Sequence, residues 1–376
     1  MRIARIEAFQ VQWAPEDPPS ARSGLLRVWS DDGRCGLGEV SPMQGGLVSL
    51  TILKHHIGPA IVGTDPLDHA VIHDRLLHRL VKLGPEGALT SALAALDIAL
   101  WDLKGQLLGQ PIWRLLGGAW RTALPFYSSI GGNGATRSLD EVLRIVEARL
   151  KDKPAAIKIR FDNDRVDLDS EIPDHLAKAR AVRKLVGDFP LAFDANNGYT
   201  PGGALRVGRV LEELGYWWFE EPVQHYHVRA TGEVARKLSI TVSAGEQSYT
   251  PAAVADLILA GVPMVQPDIV KMGGITGMLR CAALAQAHGA EFVPHQTQPT
   301  IGHMASLHIA ATQLHATKPC ELNDPSPRMH AVFTNPPRPV DGLFHLPTAP
   351  GLGLDIDEAS LAQRRVELPG SGTRMP

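Results

Sequence analysis

Apolar and polar residues alternate through RIARIEAFQVQW (residues 2–13) and again through LLRVWSDDGRCGLGEV (residues 25–40). A period of two belongs to strands with one buried face, and Asp31-Asp32-Gly33 places a turn inside the second run. The proline-rich, polar stretch APEDPPSARSG between them predicts a mobile loop. From residue 48 to 117 the spacing lengthens. ALTSALAALDIALWDLKGQLLG carries apolar residues at i, i+3 and i+4 and stops at a glycine before Pro111, which predicts a helix and its end. Residues 1–120 therefore read as an antiparallel sheet with helices.

Beyond residue 124 short apolar runs alternate with amphipathic ones. LPFYSSI, AAIKIR, LAFDA, YWWFEE, ITVSAGE, MVQPDI, EFVPH and KPCELN read as strands. SLDEVLRIVEARL, EIPDHLAKARAVRKLVG, PGGALRVGRVLEELG and GMLRCAALAQAHG are among the helices between them. Eight strands in βα alternation predict an α/β fold with a closed parallel barrel over residues 121–325. An open doubly wound sheet would gather its site at one switch point, whereas here groups from six strands carry candidate chemistry. Residues 326–376, rich in proline and glycine, are predicted to return over the N-terminal unit.

Composition narrows the class. The 376 residues suffice for a barrel of about 250 plus a smaller domain. A net charge of -3 gives no global attraction to nucleic acid or an anionic membrane, so neither is expected as a partner. Three scattered cysteines without a CxxC point to a reducing compartment. The N-terminus lacks an apolar signal core and no apolar run reaches the roughly 20 residues of a membrane span. The expectation is a soluble cytoplasmic protein.

The chemistry lies in a ladder. Asp194, Glu220, Glu246, Asp268, His295 and Glu321 follow one another at intervals of 22 to 27 residues, each at or near the end of an apolar run. One titratable group per βα repeat, at the strand's carboxyl end, is how a barrel builds an active site. Asp194, Glu220 and Glu246 would point to one spot, where like charges demand compensation. Hard all-oxygen ligation selects Mg²⁺, with Mn²⁺ as an alternative. Glu221, facing the other way, is assigned a structural role. Asp268 and His295 end neighbouring strands, so the carboxylate can orient the imidazole as a base. Lys158 and Arg160, two apart on one strand, share a face and would attract an anion while suppressing lysine protonation. Glu321 in a neutral acid form could donate a hydrogen bond to an enolate, which requires a raised pKa, though a structural ion pair is the competing reading. Asn196 is a candidate substrate contact. His55, His56, His303 and His308 are read as surface or internally satisfied positions. GGNG (131–134) and GGITG (273–277) lack phosphate-binding spacing and read as tight βα turns.

The ordered set IKIR, FDANNGY, FEEP, AGEQ, QPDIVKMGGITG and VPHQ, preceded by ALDIALWDLKGQLLGQPIWRLLGG, resembles the enolase superfamily and within it the mandelate racemase-like subgroup, over essentially the whole chain. The resemblance implies an N-terminal α+β capping domain over a (β/α)₇β TIM-like barrel. It implies Mg²⁺ on Asp194, Glu220 and Glu246, an Asp268–His295 dyad, abstraction of the proton α to a carboxylate, and homo-oligomeric assembly. Racemases of this type carry Lys-x-Lys where this chain has Lys158-x-Arg160. A guanidinium stays protonated and is a poor base, which favours a one-base reaction. The expected function is dehydration of a sugar acid, an aldonate or aldarate, with Arg160 binding the substrate carboxylate or a hydroxyl. A racemase or epimerase of a 2-hydroxy or amino acid is the alternative, and a non-catalytic metal-dependent binding protein is the second.

Overall fold

The alternating N-terminal runs form strands β1 (Ile3–Val11), β2 (Ser23–Ser30) and β3 (Cys35–Glu39), paired antiparallel in that order. These coordinates, a computed structural model, describe residues 1–130, 137–160, 165–298, 300–323 and 327–368. Helix α1 (His69–Leu80) lies beside the long helix α2 (Ala88–Leu108), which is apolar on nearly every side because it is sandwiched. One side of α2 packs on β3 and another on a barrel helix. Gly36 and Gly38 make the first contact possible, since a Cβ at either would sit 2.0 Å from the carbonyl oxygen of Ala99 or Ala95. The proline-rich loop is irregular but tied down, against the mobility its composition suggests. Ala14 N–H donates to Asp17 (2.8 Å), and Arg328 pairs with Asp17 at 3.0 Å.

The second half holds eight parallel strands: β4 (Ala123–Ile130), β5 (Ala156–Arg160), β6 (Leu191–Asp194), β7 (Trp218–Glu220), β8 (Thr241–Ala244), β9 (Met264–Val265), β10 (Glu291–Phe292) and β11 (Cys320–Asn323). Their hydrogen-bonded order is β10-β9-β8-β7-β6-β5-β4-β11. The last strand thus pairs with the first, and Gln296 N–H donating to Glu321 (2.9 Å) spans the remaining gap between β10 and β11. Helices follow the first seven strands: α3 (Leu139–Leu150), α4 (Ile172–Val186), α5 (Pro201–Glu213), α6 (Val228–Lys237), α7 (Pro251–Leu259), α8 (Gly274–His288) and α9 (Ile301–Thr312). This is the (β/α)₇β order expected.

Local sequence explains several helix starts. Ser138 and Glu141 close a capping box on α3. Thr200-Pro201 and Thr250-Pro251 pair an N-cap hydroxyl with a proline in the first turn of α5 and α7. After β11 the chain returns twice. Strand β12 (Leu343–His345) pairs antiparallel with β4, and β13 (Arg365–Val366) adds to the outer edge of β1. Among the described residues no helix is long and apolar enough to cross a membrane.

Candidate active site

Tyr127, Ala156, Ala192, Trp218, Met264 and Val293 form one buried apolar cluster from six barrel strands or strand ends. It plugs the barrel as a layer of inward side chains. Two residues later on each chain segment, a strand's period returns a side chain to the same interior. That step leads from Ala156 to Lys158, from Ala192 to Asp194, from Trp218 to Glu220, from Met264 to Gln266 and from Val293 to His295. A polar layer therefore lies on top of the plug at the carboxyl ends of the strands.

Within this layer His295 Nδ1 lies 2.8 Å from Asp268 Oδ2, the pairing expected of an oriented base. Its Nε2 lies 2.6 Å from Glu246 Oε2. Burial alone would lower the His295 pKa, but Glu246, Glu321 and the Asp268 bond outweigh it and raise it well above the ordinary value. The contact with Glu246 favours the imidazolium in this arrangement, so Nε2 is open to act as a base only where Glu246 is engaged elsewhere. Lys158 Nζ sits 2.7 Å from Glu220 and 2.9 Å from Glu321, with 1 % of its side chain exposed. Burial pulls its pKa down, yet the two carboxylates prevail and hold it well above the usual range. The sequence led us to expect suppressed protonation from Arg160. The opposite holds because the nearest charges come from β7 and β11, not from β5.

For Glu321 the geometry supports the competing ion-pair reading. Burial would raise its pKa, but Lys158 and His295 overcome that and lower it. It is an ion-paired carboxylate, not a neutral donor. Arg160 ends β5 in register with Asp194, and its charge acts on that carboxylate. Asn196 is held from both sides. Its N–H donates to Asp194 Oδ1 (2.7 Å), and Arg165 bonds its carbonyl (3.1 Å) and its side-chain oxygen. Its φ of 45° is left-handed backbone in a residue other than glycine, as are those of Asn197 and Glu221. Such strain persists where neighbours hold it in place. Here Asn197 Nδ2 donates to Glu221, and Glu221 N–H donates to Ser243 O at 2.9 Å.

Glu220, Glu246 and His295 bring ligand atoms within 4.8 Å of one another. Asp194 stands outside that tightest group but shares its field. Burial first, then Glu220 and Glu246, push its pKa up to about 8, and burial with Glu246 and Asp194 raises Glu221 well above the usual carboxylate range. Crowding that pushes Asp194 and Glu221 toward the protonated form fits a divalent cation, whose charge would relieve it, and the oxygens of Asp194, Glu220 and Glu246 suit Mg²⁺. Trp218 Nε1 (3.3 Å) and Gln266 Nε2 (3.0 Å) also donate to Glu220. Both escaped the sequence reading, although each lies two residues before a ladder member. The GGITG segment opens α8, while GGNG lies outside the described residues.

The raised Asp194 pKa gives a stability prediction. The fold binds this proton more tightly than the unfolded chain, so the stabilisation is present at low pH and is lost as pH rises toward about 8. In chelator, unfolding midpoints should fall between pH 5 and 8, at up to about 1.4 kcal/mol per pH unit for this group. Asp194→Asn or added Mg²⁺ should flatten the profile. Parallel profiles for wild type and Asp194→Asn would count against this charge arrangement.

Comparison with known proteins places the architecture. Residues 141–360 match the enolase C-terminal domain-like model, and residues 10–117 match the mandelate racemase/muconate lactonizing enzyme N-terminal domain. The chain belongs to the enolase superfamily. Within the superfamily it is 31% identical to D-galactarolactone cycloisomerase of Agrobacterium fabrum over 361 residues, covering 92% of each chain. It is 28% identical to D-galactonate dehydratase of Verminephrobacter eiseniae, covering 98% of this chain and 96% of that one. A mandelate racemase/muconate lactonizing protein from Paracoccus denitrificans, solved with magnesium, is 61% identical with a TM-score of 0.94, covering 97% and 98% of the two chains. The enolase-superfamily relatives thus include sugar acid dehydratases and cycloisomerases.

Proposed function

We propose that this protein is a Mg²⁺-dependent dehydratase of a sugar acid. The reading rests above all on one buried base pair, Asp268–His295, facing Lys158 and the carboxylate cluster, with Arg160 in place of a second lysine base. Asp194, Glu220 and Glu246 would hold the cation, which supplies an electrophile for the substrate carboxylate and acidifies its α-proton. Asp268 keeps the proton on Nδ1, so that Nε2 of His295 accepts the C2 proton. The electron pair of the C2–H bond moves into the carboxylate as an enediolate. The Lys158 ammonium stabilises that charge, and Arg160 and Asn196 bind the carboxylate or a hydroxyl. The pair then returns to form a C2–C3 double bond as the 3-hydroxyl departs. It leaves as water, with a proton from the His295 imidazolium in a syn elimination or from Lys158 in an anti one. The enol tautomerises to a 2-keto-3-deoxy acid.

A second reading, isomerisation of a cyclic sugar-acid derivative through the same proton abstraction, is supported by the identity to D-galactarolactone cycloisomerase. Racemisation is disfavoured by Arg160, because 1,1-proton transfer needs a base on each face. Mass spectrometry of a pooled sugar-acid library incubated with Mg²⁺ in D₂O separates these outcomes. Dehydration predicts loss of one water with one solvent deuterium taken up on carbon, isomerisation a chromatographically new product that differs from its substrate only by one carbon-bound deuterium, and racemisation deuterium exchange at the α-carbon alone. No change in any acid of the pool would sink the enzymatic reading.

A further inference from the structure

The barrel helices α3, α5 and α7 begin on their own N-cap side chains, Ser138, Thr200 and Thr250. Helices α4 and α6 lack a side-chain cap at Glu171 and His227, and so do the two helices that follow Asp268 and His295. The N-cap of α8 is Gly273, which has no side chain, and the N-cap of α9 is Thr300, whose hydroxyl lies 2.9 Å from His330 Nδ1 and makes no cap bond. A helix start leaves four N–H groups needing acceptors. In both helices one of these N–H groups is met by a buried carboxylate of the N-terminal unit. Asp97 on α2 accepts from Thr276 N–H (2.9 Å) and from its hydroxyl (2.6 Å), at the third residue of α8. Glu39, the last residue of β3, accepts from Gly302 N–H (3.0 Å), at the second residue of α9. These are the positions that a local N-cap side chain serves, and a carboxylate there also meets the positive end of the helix dipole.

The approach is close on the Asp97 side. A Cβ on Gly274, whose φ is +80°, would lie 2.6 Å from Asp97 Oδ2. The capped loops are short and carry the dyad. Five residues lie between Asp268 and Gly274 and five between His295 and Ile301. Met272 N–H bonds back to Asp268 O (2.8 Å), and Gln296 N–H ties the His295 loop to Glu321.

We infer that Glu39 and Asp97 are positioning residues: the capping domain supplies the N-caps of α9 and α8 and thereby aligns His295 with Asp268. The capping domain then does more than cover the substrate, because the base is in register only when both carboxylates are seated. The turnover readout rests on the function proposed above, so the test includes one that does not. Glu39→Ala, Asp97→Ala and the double variant, which remove the acceptors, are compared with wild type, all with melting temperatures well above that of the assay. Hydrogen-exchange mass spectrometry should show faster exchange at residues 268–276 in Asp97→Ala and at 295–302 in Glu39→Ala. On the acid that wild type turns over, kcat should fall about tenfold to a hundredfold, the scale of a small misplacement of a catalytic group. KM and Mn²⁺ affinity by paramagnetic resonance should stay within about twofold, and the double variant should lose less than the product of the singles, since both act on one dyad.

Lower melting temperatures with unchanged kcat would reduce both residues to structural caps and overturn the inference. Unchanged exchange at both loops would overturn it even if wild type proved inactive on every acid. Inactive wild type with the expected exchange would instead defeat the proposed function and leave the remote caps standing. Should Asp97→Ala fail to fold, Glu39→Ala alone decides.

Discussion

His295→Asn should lower kcat by about 10²- to 10⁴-fold, the range that a positioned general base supplies. Asparagine can still donate an amide hydrogen bond to Asp268 but cannot take a proton. Exchange of the substrate α-proton with solvent should vanish in parallel, because that step precedes elimination. Mn²⁺ binding, read by paramagnetic resonance, should not weaken. In the structure the imidazole lies 2.6 Å from Glu246, and removing a cation there leaves the carboxylate freer to bind metal. A His295→Asn enzyme that turns over at the wild-type rate would remove His295 from the mechanism.

Lys158→Met should destabilise the metal-free protein by about 3–5 kcal/mol, the loss typical when one partner of a buried ion pair is removed. The lysine is fully enclosed and lies 2.7 Å from Glu220 and 2.9 Å from Glu321, so its loss strands two carboxylates together. Mg²⁺ should recover part of that stability, because Glu220 would regain a counter-charge and the folded state alone offers the site. Glu321 would not, so recovery should be incomplete. Chemical denaturation in chelator and in Mg²⁺ measures both quantities. A loss below about 1 kcal/mol in chelator would mean that the three groups are not held together as an ion cluster.

Much of this site was legible along the chain for a simple reason. A strand returns side chains to the same face every second residue, and a βα unit returns the chain to the same end of the sheet. The spacing from Asp194 to Glu321 combined both periods, and the structure sets those residues on one polar layer above the Trp218–Tyr127 plug. Gln266 and Trp218 obeyed the same rule and were overlooked because neither titrates. Glu39 and Asp97 had no such signal. Their partners lie 263 and 179 residues away, and no local pattern distinguishes a carboxylate that caps a distant helix from one that faces water.

Residue order was enough to indicate the barrel, the N-terminal unit, the strand ends whose polar side chains meet, and the pairing of Asp268 with His295, since these follow from periodicity and chain direction. Charge states needed three dimensions. Lys158 is protonated, Glu321 is ionised and Asp194 is pushed up to about 8 because of groups on other strands, at distances of about 3 Å or through burial. Coulomb energy varies with separation and with the surrounding dielectric, and neither quantity is written in the spacing of residues along a chain.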